Sequence, residues 1–269
     1  ETAPCFIVTK SDLVLRDLDI ISEMSSKRIC GVAITITTLD AELKRLIEPN
    51  SPSPDARLKA IRELSEAGIR VLVKLQPVLP FLTDDDKSLR ELIDVIADAG
   101  AIHITTMVLK ISKTVWKNLQ NLLSRKCPDL VEKYEDLYFR RGEVDLAGYY
   151  RPPLKYRRRV LEIIADRCKN RGLSFGTCKE GLFYLHTSLR CSGIDLIGKY
   201  VPTVEDFWKV LINKGRISLQ DAESIAKAYK VHKGYFERLR RIWNNGQLFL
   251  GIPDVKVRRL NDTVIYETC

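Results

Sequence analysis

The sequence lacks a long apolar run, and no stretch approaches the roughly 20 consecutive apolar residues that a membrane helix needs. It has only three histidines, His103, His186 and His232, and no nucleophile motif surrounds any of them. Glycine-rich phosphate loops of the Walker and GxGxxG types are absent. These absences argue against a membrane span, against Ser/His/Asp or Cys/His catalysis, and against a nucleotide site built on such a loop.

The cysteines are few and scattered. The seven of them stand at positions 5, 30, 127, 168, 178, 191 and 269, an odd number at irregular spacings. With no signal peptide at the amino terminus, this pattern does not predict a disulfide framework and favours a reducing, cytoplasmic compartment.

The composition is that of a globular protein of moderate size. The 269 residues are 45% apolar and 29% charged, enough for one α/β body with an appended module. Lysine and arginine number 44 against 35 acidic residues, a formal net charge of +9. This excess favours polyanionic partners if the positive charge is clustered on the surface.

A repeated βα pattern organises the first part of the chain. Gly31–Asp40 is a β-branched apolar run that ends in hydroxyl residues just before a helical pattern. The same succession occurs at Cys5–Lys10, Val71–Gln76 and Ile102–Lys110. Such repeats predict an α/β fold, either a barrel or an open parallel sheet, with functional residues at the carboxyl ends of the strands. Asp12, Asp40 and Ser53 are the predicted helix caps between these strands.

Three segments follow from the changes in pattern. Residues 1–110 are expected to form the βα units, and residues 111–200 a helical, Cys- and Gly-rich extension with a short strand at Leu173–Thr177. Residues 201–269 show three helical patterns and then a hairpin, which is the order of a winged helix-turn-helix module. The three helical patterns are Val204–Asn213, Leu219–Ala228 and Lys233–Trp243, with the turn of the motif at Tyr229–His232. The hairpin is expected in the segments that follow, which are the short apolar runs Gln247–Ile252 and Val255–Leu260 and then Thr263–Glu267.

Several phrases of the sequence resemble one known family. They are FIVTKSDLVLRD at 6–17, ITITTLD at 34–40, the stretch 48–61 with its SPSPDARLKAI core, and AGI at 67–69. The segments 175–181 and 191–193 resemble a carboxy-terminal signature of the same group. Together they look like the later barrel strands of radical S-adenosylmethionine (SAM) proteins related to spore photoproduct lyase.

The resemblance implies a partial (βα)6 barrel that carries a [4Fe–4S] cluster and SAM at the carboxyl ends of its strands. In such proteins an electron donor reduces the cluster, and a 5′-deoxyadenosyl radical formed from SAM abstracts hydrogen from the substrate. The cluster motif of the family, CxxxCxxC, is absent from this sequence. Either the chain is a fragment that begins after the motif, as its start without Met next to a strand suggests, or the barrel has no cluster.

Four residues match positions at which the family binds SAM. Lys10 suits the methionine carboxylate, Thr35 the ribose or amino-acid moiety, and Gln76 the adenosine. Arg57, one turn into the helix after the proline loop, suits a bidentate clamp on the carboxylate. The alternative is that Lys10 and Arg57 form ordinary ion pairs and that Thr35 packs within its strand.

Cys178 and Cys191 form a possible metal pair. Each stands near a glycine, and with another cysteine or His186 they would ligate an auxiliary cluster or metal. The alternative is two buried thiols without a metal, which are common in proteins.

Two basic stretches predict a nucleic-acid surface. The first interleaves tyrosines with cations over 149–159, and the second falls where the recognition helix of a winged module would lie. The alternative is that both are solvated helix faces. The residues expected to contact nucleic acid are Tyr150, Arg151, Arg157, Arg158, Arg159, Arg238, Arg240 and Arg241.

The sequence thus predicts the carboxy-terminal part of a radical SAM enzyme, similar to spore photoproduct lyase, that acts on nucleic acid. A non-catalytic nucleic-acid-binding protein on a barrel-like scaffold is the alternative. A third interpretation is a radical enzyme that acts on a protein or a small molecule, in which case the basic stretches do not bind DNA or RNA.

Overall fold

The structure, a computed structural model, describes residues 5–145, 147–198, 204–228, 233–249, 255–260 and 263–268. The strands are β1 (Cys5–Thr9), β2 (Cys30–Thr35), β3 (Val71–Val78), β4 (His103–Val108), β5 (Glu143–Val144), β6 (Tyr150–Arg151), β7 (Ser174–Thr177), β8 (Arg216–Ser218), β9 (Val255–Leu260) and β10 (Thr263–Thr268). The helices are α1 (Leu18–Ser26), α2 (Ala41–Ile47), α3 (Pro54–Glu66), α4 (Asp86–Asp98), α5 (Lys113–Lys126), α6 (Asp129–Glu135), α7 (Leu154–Asn170), α8 (Val204–Lys214), α9 (Leu219–Ala228) and α10 (Lys233–Asn244).

Five strands form one parallel sheet in the order β1-β2-β3-β4-β7. This spatial order follows the order of the chain and never reverses. A doubly wound open sheet has a point where the order reverses, whereas a barrel has none. The α/β fold expected from the sequence is therefore confirmed, with strands arranged as in part of a barrel.

The helix caps follow local sequence signals closely. The Ser53 hydroxyl accepts from the Ala56 amide at 3.2 Å, with Pro54 in the first turn of α3. The Asp40 carboxylate caps α2 in the same way. The expected cap at Asp12 is wrong: Ser11 accepts from the Leu13 amide, and a 3₁₀ turn over Asp12–Asp17 precedes α1.

The two faces of the sheet have different coverings. Helices α3, α4 and α7 pack on one face against a core of buried aliphatic side chains from β2, β3 and β4, among them Ile34, Val73 and Ile104. Because successive strand residues alternate between faces, Ala33 and Leu72 lie on the opposite, inner face, where they pack with Ile197.

The segment 188–198 covers the inner face over the start of β2 and over the middle of β4 and β7. A Cβ atom at Gly31 would lie 2.1 Å from a methyl group of Ile197, and one at Gly176 would lie 2.7 Å from the Cα of Cys191. Glycine at these two positions lets the segment lie directly on the strands. The open part of the inner face is therefore at the carboxyl ends.

The region 111–200 is not purely an extension, because β7 pairs with β4 and completes the parallel sheet. Helices α5 and α6 form a smaller core of their own around two buried tyrosines, Tyr134 and Tyr138, whose rings are stacked 5.6 Å apart. No helix in the described part of the chain is long and apolar enough to cross a bilayer.

The last unit runs in the order α8-β8-α9-α10-β9-β10. Strand β10 lies between β8 and β9 and is antiparallel to both. The three expected helices and the hairpin are present, and β8 is an addition that the sequence analysis missed. Trp243 is fully buried at the centre of this unit, and Trp208 packs on Phe183 of the preceding segment at 5.4 Å between ring centroids. The predicted turn Tyr229–His232 lies outside the described residues.

Candidate active site at the carboxyl ends of the strands

A cleft of about 360 Å³ opens at the carboxyl ends of β1 to β4. Its volume lies in the range of small-molecule sites. Most of its wall is apolar and comes from the loops after β3 and β4 and from one side of α5. The lining residues are Lys10, Thr37, Ile47, Glu48, Pro77, Leu79, Leu109, Val115, Asn118, Leu119 and Leu122.

Glu48 joins the two cations predicted to bind a cofactor. Its carboxylate accepts from Lys10 Nζ at 2.9 Å and from Arg57 Nη2 at 2.5 Å. Burial alone raises the pKa of the Glu48 carboxyl, but the hydrogen bonds from Lys10 and Arg57 outweigh it, so the pKa lies below its usual range. The surroundings of Glu48 therefore favour its ionised form, and the sequence analysis did not identify this residue.

Arg57 is not placed to bind a ligand in the cleft. Its side chain is 2% exposed, and its donors are bound to the carbonyl oxygens of Pro52 and Thr35, to the Ser51 hydroxyl and to Glu48. This placement corrects the expectation that Arg57 binds a ligand carboxylate. Arg57 instead fixes Glu48 against the carboxyl end of β2.

Four residues form a row across the inner face of the sheet, and three of them are polar. The strand register places Thr35, Lys74, Thr105 and Gly176 side by side on four neighbouring strands. Two residues further along β3, on the same face, lies Gln76, whose Oε1 is buried and has no hydrogen-bond partner among the described residues. An unsatisfied buried carbonyl costs free energy, so Gln76 is poised to accept from a ligand. Lys74 is a second residue of this site that the sequence analysis missed, although period-2 alternation from Gln76 identifies it.

His103 is buried on the same face of β4, two residues before Thr105. Its Nδ1 lies 2.8 Å from the Ser174 hydroxyl, and its Nε2 lies 3.1 Å from the Cys191 carbonyl oxygen. Burial lowers the pKa of His103 to about 4. The imidazole is thus neutral at physiological pH, and it links the covering segment to the sheet.

Cys178 and Cys191, the predicted metal pair, are hydrogen-bonded to each other. The hydrogen bond with the Cys191 thiol lowers the pKa of Cys178, and burial raises it. The positive charges of Lys74 and Lys179 lower it further, so the pKa of Cys178 is about 6. Within the described residues no group of three His, Cys, Asp or Glu side chains is placed to hold a metal. His186 directs Nε2 to the Thr177 backbone amide at 2.9 Å, so it does not supply that nitrogen as the third ligand. The pair is therefore a thiol site rather than a formed metal centre.

The first basic stretch divides between the interior and the surface. Arg157 is buried, and its guanidinium binds Glu180 at 2.5 Å and Glu143 at 2.9 Å, which corrects its assignment to a nucleic-acid surface. Arg151 is mostly covered and pairs with Glu143. Arg158 is exposed, and Arg159 is 55% exposed and lies over the Tyr156 ring at 5.4 Å. Tyr150 packs on Phe139, with 4.7 Å between ring centroids.

The second basic stretch lies on α10, where Arg238, Arg240 and Arg241 are all exposed. Arg240 donates to Glu223 of α9 at 2.6 Å. Leu239 and Trp243 of the same helix face the core of the unit. Helix α10 is therefore amphipathic, with its arginines on the solvent side.

Comparison with solved structures identifies the class of fold. The chain is similar to spore photoproduct lyase complexed with dinucleoside spore photoproduct, with a TM-score of 0.50 and 16% identity over 63% of this chain and 49% of that one. A mutant of the same lyase with bound AdoMet and dinucleoside spore photoproduct gives a TM-score of 0.48. The SuiB protein of Streptococcus suis bound to S-adenosylmethionine is more distant, with a TM-score of 0.33 and 13% identity. The α/β fold with its parallel sheet thus resembles the fold of spore photoproduct lyase.

Curated sequence relatives are uncharacterized proteins. One from Mycobacterium tuberculosis is 36% identical over 162 residues, which are 60% of this chain and 45% of that protein. One from Methanocaldococcus jannaschii is 44% identical over 78 residues, or 29% of each chain. One from Acidianus two-tailed virus is 30% identical over 145 residues, or 48% of each chain. The chain spans about half the length, or less, of each of these three relatives. No protein-family model matches it.

Proposed function

We propose that this chain is the later part of a radical SAM protein related to spore photoproduct lyase. The observation that carries the proposal is the cleft at the carboxyl ends of a parallel sheet of that fold, which Lys10 and Glu48 line and beside which, next to the lining residue Pro77, lies the unsatisfied Gln76. Chemistry at this edge of a parallel βα fold is the rule for barrels and open sheets alike.

The residues of the cleft suit SAM, which carries an ammonium, a carboxylate, ribose hydroxyls and an adenine. Glu48 offers a carboxylate to the ammonium or to the ribose hydroxyls, and Lys10 and Lys74 offer cations to the carboxylate. Gln76 Oε1 lacks a donor that the adenine amino group would supply. The apolar wall around Leu79 and Leu119 excludes water from the adenine.

The residues of this chain do not suit a [4Fe–4S] cluster. Such clusters need four ligands, mostly closely spaced cysteine thiolates, and the cysteines here are dispersed in sequence. In this proposal the cluster ligands belong to a segment of the whole protein outside these residues. Bound together, the cluster and SAM supply a 5′-deoxyadenosyl radical for hydrogen abstraction, and the role of this chain is to orient SAM and the substrate.

Nucleic acid is the proposed substrate or partner. Residues 201–269 have the element order of a winged helix, and α10 presents exposed Arg238 and Arg241 in the position of a recognition helix. Arg158 and Arg159 add exposed positive charge on α7. These cations, within a chain of net charge +9, support binding to a phosphate backbone.

The proposal is tested on the full-length protein purified without oxygen. Iron and acid-labile sulfide are measured first, and SAM cleavage to 5′-deoxyadenosine is then followed on the same sample with a chemical reductant. We expect one cluster per protein and reductive cleavage of SAM. A folded protein without iron that does not cleave SAM would refute the radical function.

The absence of a cysteine motif in this chain favours one alternative, a non-catalytic nucleic-acid-binding protein on the same scaffold. That protein would bind DNA or RNA through α10 and α7 with no iron present. Binding of an oligonucleotide by the iron-free protein, with no measurable affinity for SAM, would support this alternative over the radical enzyme.

A further inference from the structure

A second cavity, of about 410 Å³, lies outside the strand-end cleft, where α5 meets β6 and the turn of π-helix at Asp136–Arg140. Nothing in the proposed SAM chemistry uses it. Three of its lining residues are aromatic, two are cationic and one is a carboxylate: Trp116, Phe139, Tyr150, Lys113, Arg140 and Glu135.

The three rings form a continuous wall. Phe139 lies between the other two, 5.2 Å from the Trp116 ring centroid and 4.7 Å from that of Tyr150, in edge-to-face contacts. Although Phe139 contacts two aromatic neighbours, it is 36% exposed. An aromatic wall open to solvent is a stacking surface for a planar ligand.

The core behind the aromatic wall is filled by other residues, so core packing does not explain why Phe139 is exposed. Tyr134 and Tyr138 fill that core, and their hydroxyls donate to the carbonyl oxygens of Pro80 at 2.7 Å and Leu109 at 2.9 Å. These bonds fix the wall from behind. The aromatic wall therefore rests on buried residues that are already hydrogen-bonded without a ligand.

The charges around the wall define the ligand further. Within the described residues no carboxylate is within ion-pairing distance of Lys113, and Arg140 has only an exposed contact with Glu132 at 3.9 Å. Exposed contacts of this kind are weak, so both cations can take a phosphate. Glu135 is the one carboxylate in the lining, and it already accepts from Gln120. Two cations against one carboxylate disfavour a cationic ligand.

We propose that this cavity binds a nucleobase of single-stranded nucleic acid, stacked on Phe139 with its phosphate toward Lys113 and Arg140. Every base has a π face, so such a site tolerates sequence, and the cations hold the backbone. The inference deepens the proposed function, on which it rests, by making single-stranded nucleic acid the substrate class.

Helix α5 connects this cavity with the strand-end cleft. Trp116 lines the cavity, and Val115 and Leu119 of the same helix line the cleft. The two sites are separated by about the width of one helix, roughly 10 Å. A strand with one nucleotide next to the SAM at the mouth of the cleft would therefore place a nearby nucleotide on Phe139. Phe139 thus positions the reacting nucleotide without contacting it.

The test measures binding of two labelled oligomers to the full-length protein by fluorescence anisotropy. One is hexathymidylate, and the other has the same number of phosphates with abasic sites in place of bases. We expect the protein to bind hexathymidylate at least about fivefold more tightly, which is the lower bound for one stacked base. Phe139→Ala should abolish this base-dependent difference, and Phe139→Trp should keep it. Lys113→Ala should weaken binding of both oligomers.

The matched control is Tyr184→Ala, which removes an aromatic side chain that is 55% exposed and remote from the cavity lining, and it should change neither affinity. Phe139→Leu keeps apolar volume without an aromatic face, so it decides the question if Phe139→Ala does not fold. Equal affinity for the two oligomers, or a base-dependent difference that survives Phe139→Leu, would overturn the proposal. Hexauridylate, run in parallel, distinguishes RNA from DNA.

The outcome is separable from that of the radical function. A protein that cleaves SAM but shows no base-dependent binding keeps the proposed activity and loses this site. A protein that binds bases on Phe139 but does not cleave SAM keeps this site and loses the activity.

Discussion

The guanidinium of Arg157 and the carboxylate of Glu180 lie 2.5 Å apart in the interior, where the two side chains are 2% and 0% exposed. Glu180 also accepts from the Val108 amide at the end of β4. This pair therefore joins α7, the loop after β7 and the carboxyl end of β4. It sets the shape of the sheet edge on which the proposed active site lies.

Removal of one member of this pair should be costly. Glu180→Ala leaves the Arg157 charge buried with only Glu143, and we expect the free energy of unfolding to fall by about 3–5 kcal/mol. Arg158→Ala, on the exposed side of the same helix, should change it by less than about 0.5 kcal/mol. Denaturant unfolding of both variants measures the difference, and equal stabilities would show that the buried pair is unimportant.

Gln76→Leu should separate stability from ligand binding. The substitution removes a buried carbonyl that has no partner, so we expect the free protein to become more stable by about 1 kcal/mol. The same change removes a proposed acceptor for SAM, and the dissociation constant should rise about tenfold, or ~1.4 kcal/mol. Thermal unfolding and isothermal titration with SAM measure the two effects. Gln220→Leu, on the exposed side of α9, is the control, and a loss of stability in Gln76→Leu would contradict the interpretation.

The stability of the protein should depend on pH through His103. Its pKa is about 4 when folded against 6.5 for an ordinary histidine, so the unfolded state binds the extra proton. The contribution is fully present above pH 6.5 and is lost as the pH falls towards 4, by about 3 kcal/mol in total. Unfolding measured between pH 4 and 7 should show this slope in the wild type and a smaller one in His103→Gln. An unchanged slope in the variant would assign the effect to other groups.

The fold could be read from the sequence where local signals and tertiary burial agree. Strands such as β2 and β4 are uncharged throughout and carry β-branched residues on the face that packs against the helices, and Ser53–Pro54 marks the start of α3 by local capping alone. The short β8 carries no such signal, since it owes its form to pairing with β10.

The site was harder to predict, because the residue type does not reveal whether a side chain is buried or exposed in the folded protein. Arg57 and Arg157 have the residue type expected of ligand-binding cations, yet each forms an ion pair with a carboxylate of this chain. The partner of Arg57 lies 9 residues away in sequence, and the partner of Arg157 lies 23 residues away. Glu48 was missed for the same reason, since its partners come from different strands and loops. Alternation along β3 places Lys74 on the same face as Gln76, so this residue is within reach of a sequence-based prediction.

Cys178 should react as a thiolate near neutral pH. Its pKa of about 6 predicts that the rate of alkylation by iodoacetamide reaches half its maximum near that pH, well below the value for an ordinary thiol. Lys74→Met removes one of the positive charges that stabilise the thiolate, so the midpoint should rise. Peptide mapping by mass spectrometry assigns the modified cysteine, with Cys178→Ser as the blank. A midpoint near 8.5 would show that the Cys191 contact does not persist in solution.

The arginines of α10 should contribute unequally to nucleic-acid binding. Each contact with a phosphate adds about one unit to the slope of log K against log salt concentration. Arg238→Ala and Arg241→Ala should each lower that slope by about one. Arg240→Ala should lower it less, because Arg240 is held by Glu223 at 2.6 Å and must give up this partner to reach a phosphate.

The measurement is a salt titration of duplex DNA binding by the full-length protein. Glu223→Gln tests whether the ion pair with Glu223 restrains Arg240, because this substitution removes the ion pair and keeps the guanidinium. It should raise the slope by up to about one unit, the value for one additional phosphate contact. Slopes that are the same in all four variants and in the wild type would place the nucleic acid elsewhere on the protein. In that case α10 is a solvated helix face, and the exposed cations of α7 become the surface to test.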